Sequence, residues 1–398
     1  MAKKNEITKL KRGVANFNLI GKAKIGEYTF NLDQESSRAD SDWIYNQLNL
    51  GVDCGNQYGI IYCDMMGGYG TDRENKILVH GKKTNENNIL VDDFDNRFEV
   101  NWDDRFEEEI LESVGDMAFI TVGLEKSDKD KVVYKKFLSQ YDAIEYINEV
   151  LEEDMVVNVK GNLKWSLYND EPQIKKEITS IVLSKATEDK FKAAFTQTIF
   201  LAKNAIGKVD KETLTIPIEC RVVDYFKNYN DVEVKTLLPI YKTFDLKIDI
   251  SNKDKANKII EMFNVKKAKT ITQMVVDGYF SKGDMLEVEV SKDDIPDDIQ
   301  ELIDCGLMDE QEVLEKIAFA NNGGNKKEKM YIKSPKLKFT GDDKKIPSID
   351  KVVEAYKEDD FDISLILESL NIQDAFDQAL ENEEEEEPDT NNWLEGLD

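Results

Sequence analysis

One stretch of this sequence restricts the fold more than any other. From Met155 to Tyr168 apolar and polar side chains alternate, Asn169-Asp170-Glu171-Pro172 supplies turn chemistry, and Ile174 to Leu183 alternates again. Period-two alternation on both sides of a turn predicts a β-hairpin. Gly161 in mid-strand predicts a bulge or sharp bend, the means by which small barrels turn a corner. The same alternation recurs at Phe17 to Ile20, Tyr58 to Cys63, Phe119 to Val122 and Thr213 to Tyr225. Two strands are expected within Thr236 to Ile250, and others over Gln273 to Phe280, Gly283 to Val290 and Met330 to Phe339. The glycine-rich run Met66 to Gly70 reads as a hairpin loop. Helical spacing is rarer: Tyr141, Ile144, Ile147 and Leu151 share one face, and further helices are expected near 255–263, 296–303 and 311–318. The Asn321 to Asn325 run is the best internal loop. The body is therefore mostly β with some α.

The residue inventory removes most catalytic chemistry. There is one histidine, His80, placed where a strand end enters a turn, so Ser-His-Asp or Cys-His machinery would have to run through it alone. The four cysteines, at 54, 63, 220 and 305, include no Cys-x-x-Cys pair and read as small buried hydrophobes rather than zinc ligands or a disulfide framework. No phosphate-cradling loop, zinc-protease helix or nucleophile elbow occurs. Carboxylate pairs such as Asp92-Asp93 and Asp103-Asp104 are expected from composition, and metal-dependent nuclease chemistry is the one enzymatic alternative they leave. The expectation is a protein that is not an enzyme, with no cofactor and no metal. An apolar run of about 18 residues able to cross a bilayer is missing, and the N-terminus lacks the apolar stretch of a secretory signal. A cytoplasmic protein with no membrane partner is expected.

Charge is distributed unevenly. The chain of 398 residues carries a net charge of −28, yet residues 1–26 hold seven basic residues and one acid. Residues 341–398 hold 20 acids against four lysines, and the run Glu383 to Glu387 is unbroken. Such like-charge blocks repel themselves, stay solvated and form interaction tails. This tail ends Trp393-Leu394-Glu395-Gly396-Leu397-Asp398. Apolar anchors among acids suit a short docking peptide, though they also suit a tip folded back on the body. Upstream, Ile363 to Leu370, Ile372, Ala375, Phe376 and Leu380 recur near helical spacing.

A basic head, bulged hairpins bearing aromatics and an acidic tail with an apolar tip resemble the single-stranded-DNA-binding proteins of bacteriophages. The residues carrying the resemblance are Val156 to Trp165 with the returning strand, and the tail from Glu383 to Asp398. It implies oligonucleotide-binding (OB) barrels, here two β-barrel units, and a disordered acidic C-terminal tail. The corresponding organisation is a basic arm at 1–13, an OB-like domain at 14–188, a second β-rich domain at 189–340, and an acidic helix and tail at 341–398. Non-specific single-strand binding uses lysines along a groove and aromatic faces on which bases stack. Candidates are Lys160, Lys164, Trp165, Tyr168, Lys175 and Lys176 on the paired strands, and Tyr134, Lys135 and Lys136 in a second basic cluster. Trp43, Tyr45, Tyr58 and Tyr62 form a third set. Each of these aromatics also has a core reading, because β cores use them routinely.

The resemblance further implies that the protein coats single-stranded DNA during phage replication, recombination or repair in the host cytoplasm. Trp393, Leu394, Leu397 and Asp398 would then recruit a polymerase, primase or helicase, while the acids mask the DNA groove. Two OB-like units would offer a site on the order of 8–30 nucleotides. The alternative is an acidic scaffold or DNA mimic that binds no nucleic acid.

Overall fold

The computed structural model describes residues 7–282 and 328–370, with gaps at 39–40, 170, 212, 231, 248–252 and 341–345, and isolated positions between 295 and 313. The first strands are β1 (Ala15–Lys24), β2 (Phe30–Glu35), β3 (Trp43–Asp53) and β4 (Ile60–Gly70). An excursion then holds the hairpin β5 (Lys76–Thr84) and β6 (Leu90–Asn101), the short helix α1 (Glu108–Ser113), and β7 (Ile120–Lys126) with β8 (Val132–Phe137). Helix α2 (Gln140–Val150) leads into β9 (Val156–Tyr168) and β10 (Glu171–Leu183). The second half holds β11 (Lys192–Leu201), β12 (Thr215–Tyr229), β13 (Val232–Lys247), α3 (Lys253–Phe263) and β14 (Thr270–Ser281). It ends with β15 (Lys329–Pro335), β16 (Leu337–Thr340), β17 (Ile346–Ile349), β18 (Lys351–Lys357) and α4 (Ile363–Ser369).

The hairpin of β9 and β10 forms as its alternation requires. Val157, Val159, Leu163 and Trp165 point inward and are buried, while Lys160 and Lys164 face outward. Asn169 turns the chain with a φ of 49°, a left-handed conformation that asparagine tolerates. The expected bulge is real, but its extra residue is Thr179 on β10. It sits between the pairs Ile178 with Gly161 and Ser180 with Lys160. Gly161 is the position that permits it, since a Cβ there would collide with the Glu177 carbonyl oxygen and lie 2.7 Å from Phe17 Cε1.

Pairing closes a five-strand barrel in the order β1, β3, β4, β10, β9 and back to β1. Only β4 and β10 run parallel, where Asp64 meets Glu177. Helix α2, with Ser139 capping its N-terminus, packs Ala143, Ile144 and Ile147 into the core. This is the strand order of an OB fold, with a helix between its third and fourth strands. A second circuit repeats it: β11, β12, β13, β15, β14 and back to β11, with β13 and β15 parallel and α3 in the corresponding place.

The two circuits meet along β1 and β11, which pair antiparallel with Phe17 opposite Phe195. Phe17 also pairs with Gly161 on β9, and Phe195 with Gly278 on β14. A Cβ on Gly278 would collide with the Phe195 ring, just as one on Gly161 would crowd Phe17. The barrels are thus related by an approximate twofold axis through the Phe17–Phe195 pair. One hydrophobic core cluster draws on strands from both halves.

Several expectations are corrected. The Met66 to Gly70 run is strand β4, not a loop, because Gly67 lets Gln140 and Tyr141 of α2 approach the sheet. Residues 232–247 form one long strand rather than two, paired with β12 almost from end to end. His80 lies within β5 rather than at its end, beside a register shift, with Nε2 2.8 Å from Asp92 Oδ1. Within the basic arm, residues 7–12 pack on the body: Leu10 is buried, the Thr8 amide donates to Asp360 at 2.8 Å, and Arg12 pairs with Asp224 at 2.8 Å. Residues 346–357 are strands that alternation had not revealed, and β18 joins the main sheet against β14. The α4 helix starts at Ile363 as its spacing predicts. The strand expected at 283–290, the loop at 321–325 and the tail beyond 370 lie outside the described residues, as do most of the helices expected at 296–303 and 311–318.

Candidate nucleic-acid interface

The outward surface of β3 and β4 is set by alternation. Leu48, Leu50 and Val52 fill the first barrel, so Trp43, Tyr45, Gln47, Asn49 and Gly51 face away from it. Their partners on β4 are Gly70, Gly68, Met66, Asp64 and Tyr62. Trp43, Tyr45 and Tyr62 therefore share one surface. Tyr62 is 56 % exposed and lies across Gly51, where a Cβ would come within 3.3 Å of its ring. Cations sit over two of the three rings, with the Arg73 guanidinium 5.7 Å from Trp43 and the Lys282 ammonium 4.7 Å from Tyr62. Neither cation was evident from sequence, because loop geometry and long-range pairing deliver them. Burial pushes the Lys282 ammonium below the usual lysine range.

Lys175 and Lys164 flank this surface around the barrel. Lys175 Nζ is 2.7 Å from Asp64, and Lys164 Nζ is 3.8 Å from Glu177, the residue that pairs with Asp64. Lys160 is exposed further along β9, and Tyr168 is 68 % exposed at the hairpin tip. Lys22 and Lys24 edge the same barrel at the Gly51–Asp53 end of β3, held by Glu188 at 2.6 Å and Asp154 at 2.5 Å.

Two candidates are placed elsewhere by parity. Trp165 is 3 % exposed, on the inward side shared by Val157 and Leu163, so it offers no face to a base. Its Nε1 donates to Gln197 Oε1 at 3.1 Å, its amide donates to Asp224 at 2.7 Å, and its ring meets Phe244 edge-on at 6.3 Å. It joins the barrels. Lys176 is likewise buried, ion-paired with Glu328 at 2.7 Å and 4.8 Å from the Phe280 ring. The cluster at Tyr134, Lys135 and Lys136 lies on β8, separated from β4 by β10 and β7 in the sheet. Tyr134 is exposed there, Lys135 pairs with Glu125 at 3.3 Å, and Lys136 pairs with Asp116 at 2.9 Å. Trp393, Leu394, Leu397 and Asp398 lie outside the described residues.

The equivalent surface of the second barrel is partly covered by the chain itself. On β12 and β13 it would present Arg221, Val223, Pro239 and Tyr241, beside Phe200 of β11. The Phe361 ring lies 5.0 Å from Phe200 and 5.8 Å from the Arg221 guanidinium, and α4 packs on β13 with Ile366 and Leu367 buried. Arg221 is 4.6 Å from the Tyr241 ring and donates to its hydroxyl at 2.8 Å. Tyr225 and Tyr241 stay exposed on that face, so the cover reaches only its Phe200–Arg221 end.

Among the described residues no group of His, Cys, Asp or Glu could hold a metal ion, and no helix is long and apolar enough to cross a membrane. Cys54, Cys63 and Cys220 are buried, and burial pushes all three thiols up, whereas Cys305 is exposed.

A family model described as YorF matches residues 113–293. No curated protein matches the sequence. A crystal structure of a deletion mutant of the single-stranded DNA binding protein from Thermus aquaticus aligns over 69 % of this chain and 90 % of that chain, at 9 % identity and a TM-score of 0.29.

Proposed function

We propose that the protein binds single-stranded DNA without sequence preference, through the outward β3–β4 face of its first barrel. The observation that carries this reading is the grouping of Trp43, Tyr45 and Tyr62 on that one face, with Arg73 and Lys282 held over two of the rings. Strands two and three of an OB barrel are the surface such folds use for oligonucleotides. Stacking of a base on an aromatic ring contributes about 1–3 kcal/mol and tolerates every base, while cations track the phosphates. A net charge of −28 does not oppose this, because the local potential of a groove governs encounter. The first barrel's face alone offers a site on the order of 4–16 nucleotides.

The finer proposal is a coating role in DNA replication, recombination or repair in the cytoplasm of a phage-infected host, with no catalytic step. The acidic tail competes with DNA for the face, and its apolar tip recruits a polymerase, primase or helicase. Titration with poly-dT and with duplex DNA at two salt concentrations tests the core of this reading. Tryptophan quenching by poly-dT but not duplex is expected, and it should shrink in Trp43→Phe and be unchanged in Trp165→Phe, because Trp165 is enclosed. Affinity should fall with salt, with a log–log slope near −0.7 per phosphate contact. Equal binding of both nucleic acids refutes the single-strand preference, and binding of neither refutes the reading and leaves an acidic protein-interaction role.

A further inference from the structure

Tyr62 marks the end of the first barrel's face that adjoins the second barrel. Lys282, the residue after β14, lies over its ring. The backbones are joined at this point: the Lys282 amide donates to the Tyr58 carbonyl at 3.1 Å, and the Ser281 hydroxyl donates to the Gln57 carbonyl at 2.9 Å. From there a run of rings crosses the junction. Tyr58 meets Tyr279 edge-on at 5.7 Å, Tyr279 stacks on Tyr331 at 5.1 Å with 18° between planes, and the Lys247 ammonium lies 5.3 Å from the Tyr331 ring. These tyrosines are half-buried, so the run is a surface feature and not core. Tyr279 and Tyr331 point out of β14 and β15, as Phe280 and Ile332 beside them point in.

The run begins and ends with an ammonium over an aromatic face. A cation so placed holds the position that a base would take, and its flexible stem lets it move to a phosphate when the base arrives. On the second barrel's own β12–β13 face Phe361 covers the Phe200–Arg221 end, while Tyr225 and Tyr241 stay exposed beyond it. The junction is the aromatic and basic route that leads directly on from Tyr62.

We propose that single-stranded DNA leaves the first barrel's face at Tyr62 and continues across the junction, its bases stacking along Tyr58, Tyr279 and Tyr331 and its phosphates taken by Lys282 and Lys247. This rests on the reading of the first barrel's face as the primary site. It extends the footprint beyond one barrel by a flank of the second rather than by a duplicate of the first face.

The test is a length series of oligo-dT, from about one barrel's site of ~8 nucleotides to well beyond ~16. The proteins are the full chain, Tyr45→Ala, Lys247→Glu and Tyr331→Leu. Lys247 is exposed, so reversing its charge leaves the fold intact, and thermal melting checks Tyr331→Leu. Short strands should bind the full chain and both junction variants alike, and bind Tyr45→Ala weakly. Long strands should gain affinity in the full chain and lose about fivefold or more in Tyr331→Leu. Lys247→Glu should lower the salt slope by about 0.7 for long strands only. If both junction variants match the full chain at every length while Tyr45→Ala is impaired, the route is wrong and the first-barrel site stands. If the full chain binds no oligo-dT of any length, the primary reading fails and the route fails with it.

Discussion

Two tryptophans should respond to substitution in different ways. Trp165 is 3 % exposed, and replacing it by Phe keeps most of its packing against Phe244 while removing the Nε1 donor. Gln197 is fully enclosed at 0 % exposure, so its Oε1 would lose the 3.1 Å bond with no water to replace it. Leaving a buried acceptor unsatisfied costs about 1–3 kcal/mol. At about 2–4 °C per kcal/mol for units of this size, the melting temperature of Trp165→Phe should fall by roughly 2–12 °C. Its affinity for oligo-dT should stay within about twofold, because no base reaches the ring. Trp43→Ala removes a half-buried ring from the β3–β4 face, so it loses some packing as well as a stacking surface. Its melting temperature should fall by a few degrees, and what separates it from Trp165→Phe is the loss of affinity. Loss of one stacking platform, about 1–3 kcal/mol, should weaken oligo-dT binding by about 5- to 150-fold. Differential scanning calorimetry and fluorescence anisotropy measure the two quantities. The reasoning fails if Trp165→Phe loses affinity without losing stability, or if Trp43→Ala binds as the parent does.

Other consequences are separable. Gly161→Ala and Gly278→Ala occupy equivalent places across the approximate twofold axis, where a Cβ meets backbone as well as Phe17 or Phe195. Each should cost about 2 kcal/mol or more in urea unfolding, and a neutral result at either would contradict the equivalence. Phe361→Ala removes the ring that covers Phe200 and should destabilise the protein by about 3–5 kcal/mol, read by the same unfolding curves. Lys282 has its pKa depressed by burial, and a nearby phosphate favours its charged form, so binding takes up a proton. Affinity for oligo-dT should therefore decline as pH rises through the depressed Lys282 pKa, below the ordinary lysine value. In Lys282→Arg, which stays charged, anisotropy should show that decline displaced to higher pH. A chain ending at Ala379 should bind oligo-dT more tightly and with a flatter salt response, and unchanged binding at every salt would end the idea of competition by the tail.

Much of the first barrel was legible because its signals are local. The β9–β10 hairpin, its turn and the special position of Gly161 all lie within 30 residues, and α2 announces itself by a single apolar face. The inward placement of Trp165 and Lys176 was also readable, since they share parity with Leu163 and with Ile174 and Ile178. Basic-aromatic composition drew attention to them instead. What the sequence hid depends on pairing between distant segments. No local pattern brings Lys282 over Tyr62, stacks Tyr279 on Tyr331, or lays Phe361 on Phe200. The partial cover over the second barrel's face comes from Phe361 and α4, within the segment whose acidic composition predicts a helix and tail.

The most direct measurement maps the contact itself. Oligo-dT carrying 5-iodouracil would be irradiated on the full-length protein, and crosslinked peptides identified by mass spectrometry. The account predicts crosslinks at Trp43, Tyr45 and Tyr62 on the β3–β4 face. Crosslinks confined to the β8 cluster around Tyr134, or to the β12–β13 surface beneath Phe361, would contradict it.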